Sequence, residues 1–173
     1  MEEPRAAVEG PGGAEAAGRV GAVRPVDAAR MVEVGAKDVT EREATAECLV
    51  TMTPEACRRL VEGTPKGDPI EAARVAGLLG LKRTPELLPF CHPVAVTGAE
   101  VAVEPDPAAG TIRVRTTVRA RDRTGVEMEA LTAAAVAALS LYDTAKAYDR
   151  AAVISGLRLL EKRGGKSGHY VAG

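Results

Sequence analysis

Between residues 44 and 160 the apolar side chains recur with two different periods, and the order in which those periods alternate leaves few folds open. Residues 44–52 (ATAECLVTM) repeat every second position and read as a strand with Ala44, Ala46, Cys48, Val50 and Met52 on one face. Thr53-Pro54-Glu55 then opens a helix, with Thr53 as cap and Pro54 in the first turn, and Gly63 closes it. The loop Thr64-Pro65-Lys66-Gly67-Asp68-Pro69 leads into a second helix from Ile70 to about Lys82. Two strands follow, Val94–Val103 and Thr111–Arg121, joined by a Pro/Asp/Gly turn over Glu104–Gly110. A long alanine-rich helix spans about Val126 to Tyr148, and a last strand covers Val153–Leu160. Strand, two helices, hairpin, helix, strand is an α+β order. It predicts a ferredoxin-like β-α-β-β-α-β sandwich with an antiparallel sheet and an extra helix in the first connection. Within the long helix, Met128, Leu131, Ala135, Leu139 and Tyr142 share helical spacing and are the expected buried stripe. Helices covering one sheet face leave the other to a partner, as in a homo-oligomer.

Residues 1–25 contain five glycines and three prolines with almost no bulky apolar side chain. Such a stretch cannot bury enough surface to offset its ordering entropy, so 1–25 reads as a disordered extension and 26–173 as one domain.

Charge and aromatic content exclude several functions. The chain has 23 Lys+Arg against 24 Asp+Glu; residues 1–30 take four of the former and five of the latter, leaving the remainder formally neutral. A general nucleic-acid binder carries a basic surplus, and one phenylalanine with three tyrosines and no tryptophan cannot build a base-stacking platform. Cys48, Cys57 and Cys91 form no C-x-x-C pair, and His92 and His169 are the only histidines, so no metal site is expected. No apolar run reaches membrane-span length and the acidic N-terminus is no secretion signal, which makes the cytoplasm the expected compartment.

Four stretches carry chemistry. Pro89-Phe90-Cys91-His92-Pro93 is a rigid loop whose histidine either caps a carbonyl or offers a fixed donor to a substrate phosphate or hydroxyl. Gly125-Val126-Glu127-Met128-Glu129 puts two carboxylates at a helix N-terminus, either to complement its dipole or, through Glu129, to accept from a purine amino-imino edge. Asp143 and Lys146, three apart, are helix-surface neighbours: an ordinary ion pair if exposed, a mutually tuned proton donor and acceptor if partly buried. Lys66, Lys82-Arg83 and the run Arg158, Lys162, Arg163, Lys166 supply cations, and the last four suggest a polyanion socket. Gly164-Gly165-Lys166-Ser167 is not a P-loop, because the required first glycine falls on Leu160 and too little chain follows for a helix.

Together these segments resemble the cyclic pyranopterin monophosphate synthase family of molybdenum cofactor biosynthesis. The matching stretches are Met31-Val32-Glu33-Val34, Lys66-Gly67-Asp68, Leu88–Pro93, Thr124–Ala133, Tyr142-Asp143 with Lys146-Ala147, and Gly164–Gly168, in family order over about residues 31–170. The resemblance implies conversion of 3′,8-cyclo-7,8-dihydroguanosine 5′-triphosphate into cyclic pyranopterin monophosphate with release of diphosphate. It implies a catalytic Asp143 partnered by Lys146, and a further catalytic Lys66. Substrate binding falls to Phe90, Cys91, His92, Glu127, Met128 and Glu129, with Lys162, Lys166 and, more weakly, Arg42 around the phosphates. Phe90 stands where the family more often has leucine, and Thr144-Ala145 where Met-Cys is commoner. No resident cofactor is required, although Mg²⁺ could accompany the triphosphate. The partners implied are this nucleotide-derived substrate and further copies of the chain, in a homohexamer (trimer of dimers) with sites at a subunit interface; neither nucleic acid nor membrane is expected. Read without the resemblance, the same residues also suit a nucleotide-binding regulatory module or a catalytically dead structural subunit.

Overall fold

The computed structural model describes residues 29–166 and 168–173, so the expected N-terminal extension lies outside the described residues. Strand β1 (Thr40–Thr51) buries Ala44, Ala46, Cys48 and Val50, with Met52 just beyond, which is the face that the alternation predicts. It starts four residues earlier than its apolar run. Glu41, Arg42 and Glu43 also alternate, and they pair in register with Arg121, Ala120 and Arg119.

Two helices follow, the first with its predicted cap and the second with one that the sequence reading assigns to the preceding loop. In α1 (Pro54–Glu62) the Thr53 hydroxyl accepts from Ala56 N at 3.3 Å. In α2 (Pro69–Lys82) Asp68 Oδ1 accepts from Ile70 N and Glu71 N at 2.8 and 3.1 Å, and Pro69 occupies the first turn. A single turn, α3 (Thr84–Leu87), precedes the hairpin β2 (Val96–Asp106) and β3 (Thr111–Asp122). Then come α4 (Glu127–Ala145), β4 (Val153–Arg163) and a two-residue β5 (Tyr170–Val171). The sheet order is β2-β3-β1-β4-β5 with every pairing antiparallel, and its first four strands have the ferredoxin-like arrangement. Sequence periodicity misses β5, whose two residues are too few to show any.

The hairpin turn depends on Gly110. Its φ is +67°, and an added Cβ would collide with the Met52 carbonyl, while its own carbonyl accepts from Met52 N at 2.8 Å. Both strain and overlap act on backbone, which cannot swing away. Gly110→Ala should therefore lower unfolding free energy by about 2 kcal/mol or more, read from a denaturant midpoint. An unchanged midpoint would show that the turn relaxes freely.

The buried stripe of α4 differs from expectation. Ala130, Ala133, Ala134, Ala137, Ala138, Leu141 and Ala145 face inward, whereas Met128 and Leu139 are 41% and 57% exposed and Leu131, Ala135 and Tyr142 are half-buried. The reason is thickness. Alanines let α4 lie close to the sheet, where Thr116 Oγ1 donates to Ala130 O at 2.8 Å. On its flank α2 approaches through Gly77 and Gly80; a Cβ on Gly80 would come within 2.9 Å of Val136. The larger apolar residues, which sequence reasoning assigns to the core, are left on the outside.

The uncovered sheet face is not apolar either. It carries cross-strand ion pairs, Glu43–Arg119 at 2.5 Å, Glu47–Arg158 at 2.8 Å, Glu47–Arg115 at 3.4 Å and Glu41–Arg121 at 3.8 Å. Such a face is at home in water and needs no covering partner. Exposed apolar side chains cluster on the helical layer, at Val75, Leu79, Met128 and Leu139, while on the open face Val153, opposite Thr51, is exposed at one end of β4.

Candidate active site

Helix α4 organises the candidate residues into three groups. Beside its N-terminus lies a cleft of about 560 Å³ lined by Lys37, Arg42, Arg123, Lys162 and Lys166, against the carboxylates of Asp38 and Glu127. Alternation along β4 sends Lys162 to the helix side of the sheet, opposite Ala44, where its Nζ stands 4.0 Å from Glu127 Oε1. Two expected members of the socket are lost. A β-bulge at Leu160 turns Arg158 to the open face and Glu47, and alternation puts Arg163 there too, paired with Glu161 at 2.7 Å. Arg42 donates to Asp122 O at 3.2 Å and Arg123 to Lys37 O at 3.1 Å, which fixes both guanidinium groups at the rim. Gly164 and Gly165 have φ of +92° and +76°, and any Cβ there would strike Glu41 O or the Arg42 guanidinium. Those glycines bring Lys166 into the cleft. Sequence reasoning misses Lys37 and Arg123, which are scattered surface cations until the fold gathers them.

Glu129 lies on the other side of the helix. It stands two positions after Glu127, about 200° of rotation, so the two carboxylates do not share a cleft. Glu129 is 2% exposed and borders a cavity of about 470 Å³ between α2 and the segment entering β2. Its Oε1 accepts from the Cys91 thiol at 3.7 Å, while Oε2 has no partner among the described residues. Burial raises its pKa, helped by the charges of Glu127 and Asp122 and opposed by its own N–H and the Cys91 thiol. Burial likewise pushes the Cys91 thiol up to about 11, with the Glu129 charge adding to it. Cys91 N donates to Leu88 O at 3.0 Å, closing the proline-bracketed loop; within it His92 is half-buried and Phe90 exposed. Met128 projects outward from the helix.

A carboxyl whose folded pKa exceeds its unfolded value costs stability wherever it is ionised. The cost appears as pH rises above the unfolded carboxyl range and is complete above the folded pKa. Glu129→Gln should therefore stabilise the fold at pH 7 by about 1 kcal/mol, and the advantage should vanish near pH 3, where both states hold the proton. Urea midpoints of both proteins at the two pH values test this. Equal destabilisation by Gln at both would show that the carboxyl is held by contacts rather than penalised by burial.

The third group sits at the far end of α4. Lys146 Nζ pairs with Asp143 Oδ1 at 2.6 Å, and both side chains are more than half exposed. The hydrogen bond and charge of Lys146, and then the charge of Lys66, hold Asp143 below the usual carboxylate range, while Asp143 raises the Lys146 ammonium. Lys66 rides a tight turn in which Thr64 N and Gly67 N each donate to the other's carbonyl at 2.9 Å, and Gly67 has φ of +110°. This turn brings Lys66 to Asp143 and Lys146 around a cavity of about 490 Å³. From Glu127 to Asp143 the helix rises about 24 Å. Within one protomer the Asp143 group and the cation cleft do not meet.

The MoaC family model matches residues 31–165. The chain belongs to the MoaC family. Among its relatives, a protein of Parvibaculum lavamentivorans named cyclic pyranopterin monophosphate synthase is 52% identical over 146 residues, covering 84% of this chain and 91% of that protein. The synthase of the same name from Pelotomaculum thermopropionicum is 52% identical over 143 residues, 82% and 84% of the two chains. That of Brucella ovis is 49% identical over 154 residues, 88% and 93%. In this MoaC-family chain no helix among the described residues is long and apolar enough to cross a membrane.

Proposed function

We propose that the chain is a cyclic pyranopterin monophosphate synthase. It converts 3′,8-cyclo-7,8-dihydroguanosine 5′-triphosphate into the cyclic pyranopterin and diphosphate, in the cytoplasm, within sites shared between protomers of a homohexamer. The supporting observation is the pairing of two complementary half-sites on one rigid helix. One end offers a proton acceptor and donors, Asp143 with Lys146 and Lys66; the other offers cations suited to a polyphosphate, Arg42, Lys162 and Lys166. An antiparallel neighbour would lay one protomer's Asp143 end beside the other's cation cleft. The exposed Val75, Leu79 and Leu139 supply apolar surface on the helical layer for that contact.

In this reading Asp143, held ionised, accepts a proton, and Lys146, held charged, returns one as the guanine five-membered ring opens and the pyran forms. A substrate hydroxyl then gives its proton to solvent as its oxygen bonds to the innermost phosphorus, the bond from that phosphorus to the outer two phosphates breaks, and diphosphate leaves. Lys162 and Lys166 offset the charge on the departing group. Glu129, which borders the cavity between α2 and the segment entering β2, accepts from the guanine N–H edge beside Cys91 and His92. Ring opening and pyran closure break and make bonds to carbon with proton transfer, and the last step transfers a phosphoryl group, so no step is assigned to a resident cofactor. The test is direct: purified protein given the cyclic nucleotide should yield cyclic pyranopterin and diphosphate in equal amounts, and native mass spectrometry should show six copies. Recovery of unchanged ligand from folded protein would make this a binding module instead.

A further inference from the structure

Arg150 borders the same cavity as Lys66, Asp143 and Lys146. Its place is fixed by the turn that follows α4. Tyr148 N and Asp149 N both donate to Ala145 O at 2.8 Å. Asp149 then accepts from Thr53 N at 2.8 Å through Oδ2 and from Ala151 N at 2.9 Å through Oδ1, tying the segment to the start of α1. Ala152, two residues on, is buried in the core. Arg150 is thus carried by a braced turn, with the buried end of α4 on one side and a core residue on the other.

Charge around the cavity does not balance. Lys66, Lys146 and Arg150 are three cations facing one carboxylate, Asp143, whose partner is Lys146. Among the described residues neither Lys66 nor Arg150 makes an ion pair with an acidic side chain within 4.0 Å. Two cations are therefore left over in a cavity of about 490 Å³. Lys66 is already assigned to proton transfer with Asp143 and Lys146, which leaves the charge of Arg150 to an anion brought beside them. A planar guanidinium held by a fixed backbone suits paired phosphate oxygens, which a lysine meets only as a point charge.

We propose that Arg150 is a substrate-positioning residue that grips a phosphate of the nucleotide-derived substrate beside Asp143 and Lys146. The inference rests on the synthase reading for the identity of the substrate but not for the presence of an anion site. Its role is binding rather than proton transfer, so kinetics should separate the two. Arg150→Gln should raise KM for the cyclic nucleotide about tenfold or more, weaken inhibition by inorganic diphosphate by a similar factor, and leave kcat within about threefold. Arg150→Lys should recover part of the KM loss, and thermal unfolding of both variants should match the parent. An unchanged KM, or a fall in kcat at constant KM, would overturn the proposal. Should the parent protein make no product, calorimetry still decides. In a Lys162→Ala background, which weakens the other cation cleft, inorganic diphosphate should bind about tenfold more tightly with Arg150 present than with Gln there; equal binding would refute the anion site while leaving the cause of inactivity to the functional reading.

Discussion

Asp143→Asn should reduce product formation by about a thousandfold while leaving assembly and melting temperature unchanged. The amide keeps the size and shape of the carboxylate but cannot accept a proton. General acid–base groups contribute roughly 10²–10⁴-fold, which sets the scale. Stability should not follow activity, because the Asp143–Lys146 pair is mostly exposed at both partners. The pair also gives the pH profile a direction. Lys146 and Lys66 hold the carboxyl below its usual range, so the acceptor should stay active well into acid, and NMR of the Asp143 carboxyl should show it taking up its proton at higher pH when Lys146 is replaced by Met. Turnover by Asp143→Asn within tenfold of the parent would remove Asp143 from its assigned role, whatever the rest of the site does.

What sequence could reveal follows from how far each signal travels along the chain. Period-2 alternation in Ala44–Met52 is a local fact, and it places the strand and its buried face correctly. Caps at Thr53 and Asp68 are local too, since a short polar side chain reaches only its own helix. The stripe on α4 is not local. Met128 and Leu139 obey helical spacing as well as Ala130 and Ala137 do, and only the proximity of β1 and of α2, with its Gly77 and Gly80, decides which set fits inside. Side-chain volume, not hydrophobicity, made that choice.

Functional residues divide in the same manner. Asp143 and Lys146 are one turn apart, so their contact is legible at once. Lys66 reaches them only because the Thr64–Gly67 turn folds back, and its sequence distance conceals this. Neighbours in sequence can also be parted: Glu127 and Glu129 look like a pair and face different cavities. The basic run from Arg158 to Lys166 looks like one patch, yet a β-bulge at Leu160, which no periodicity announces, puts Arg158 and Lys162 on opposite faces of the sheet. Arg123 and Lys37, 86 positions apart, join a cleft that no window of sequence could show.

The separation of half-sites along α4 leads to the strongest test of assembly. Asp143→Asn and Lys162→Ala, each alone, should be nearly inactive, because each removes one half of every site. Co-expressed in equal amounts, they should regain about a quarter of parental activity: half of all random pairs are mixed, and each mixed pair contains one intact site and one doubly defective site. A helix running about 24 Å between Glu127 and Asp143 cannot fold on itself to bring the groups together within one chain. Activity in the mixture therefore requires that one protomer lend its Asp143 end to the cation cleft of another. A mixture as inactive as its parents, with mixed oligomers demonstrated by mass, would mean that the two clefts serve separate ligands, and the composite site would have to be abandoned.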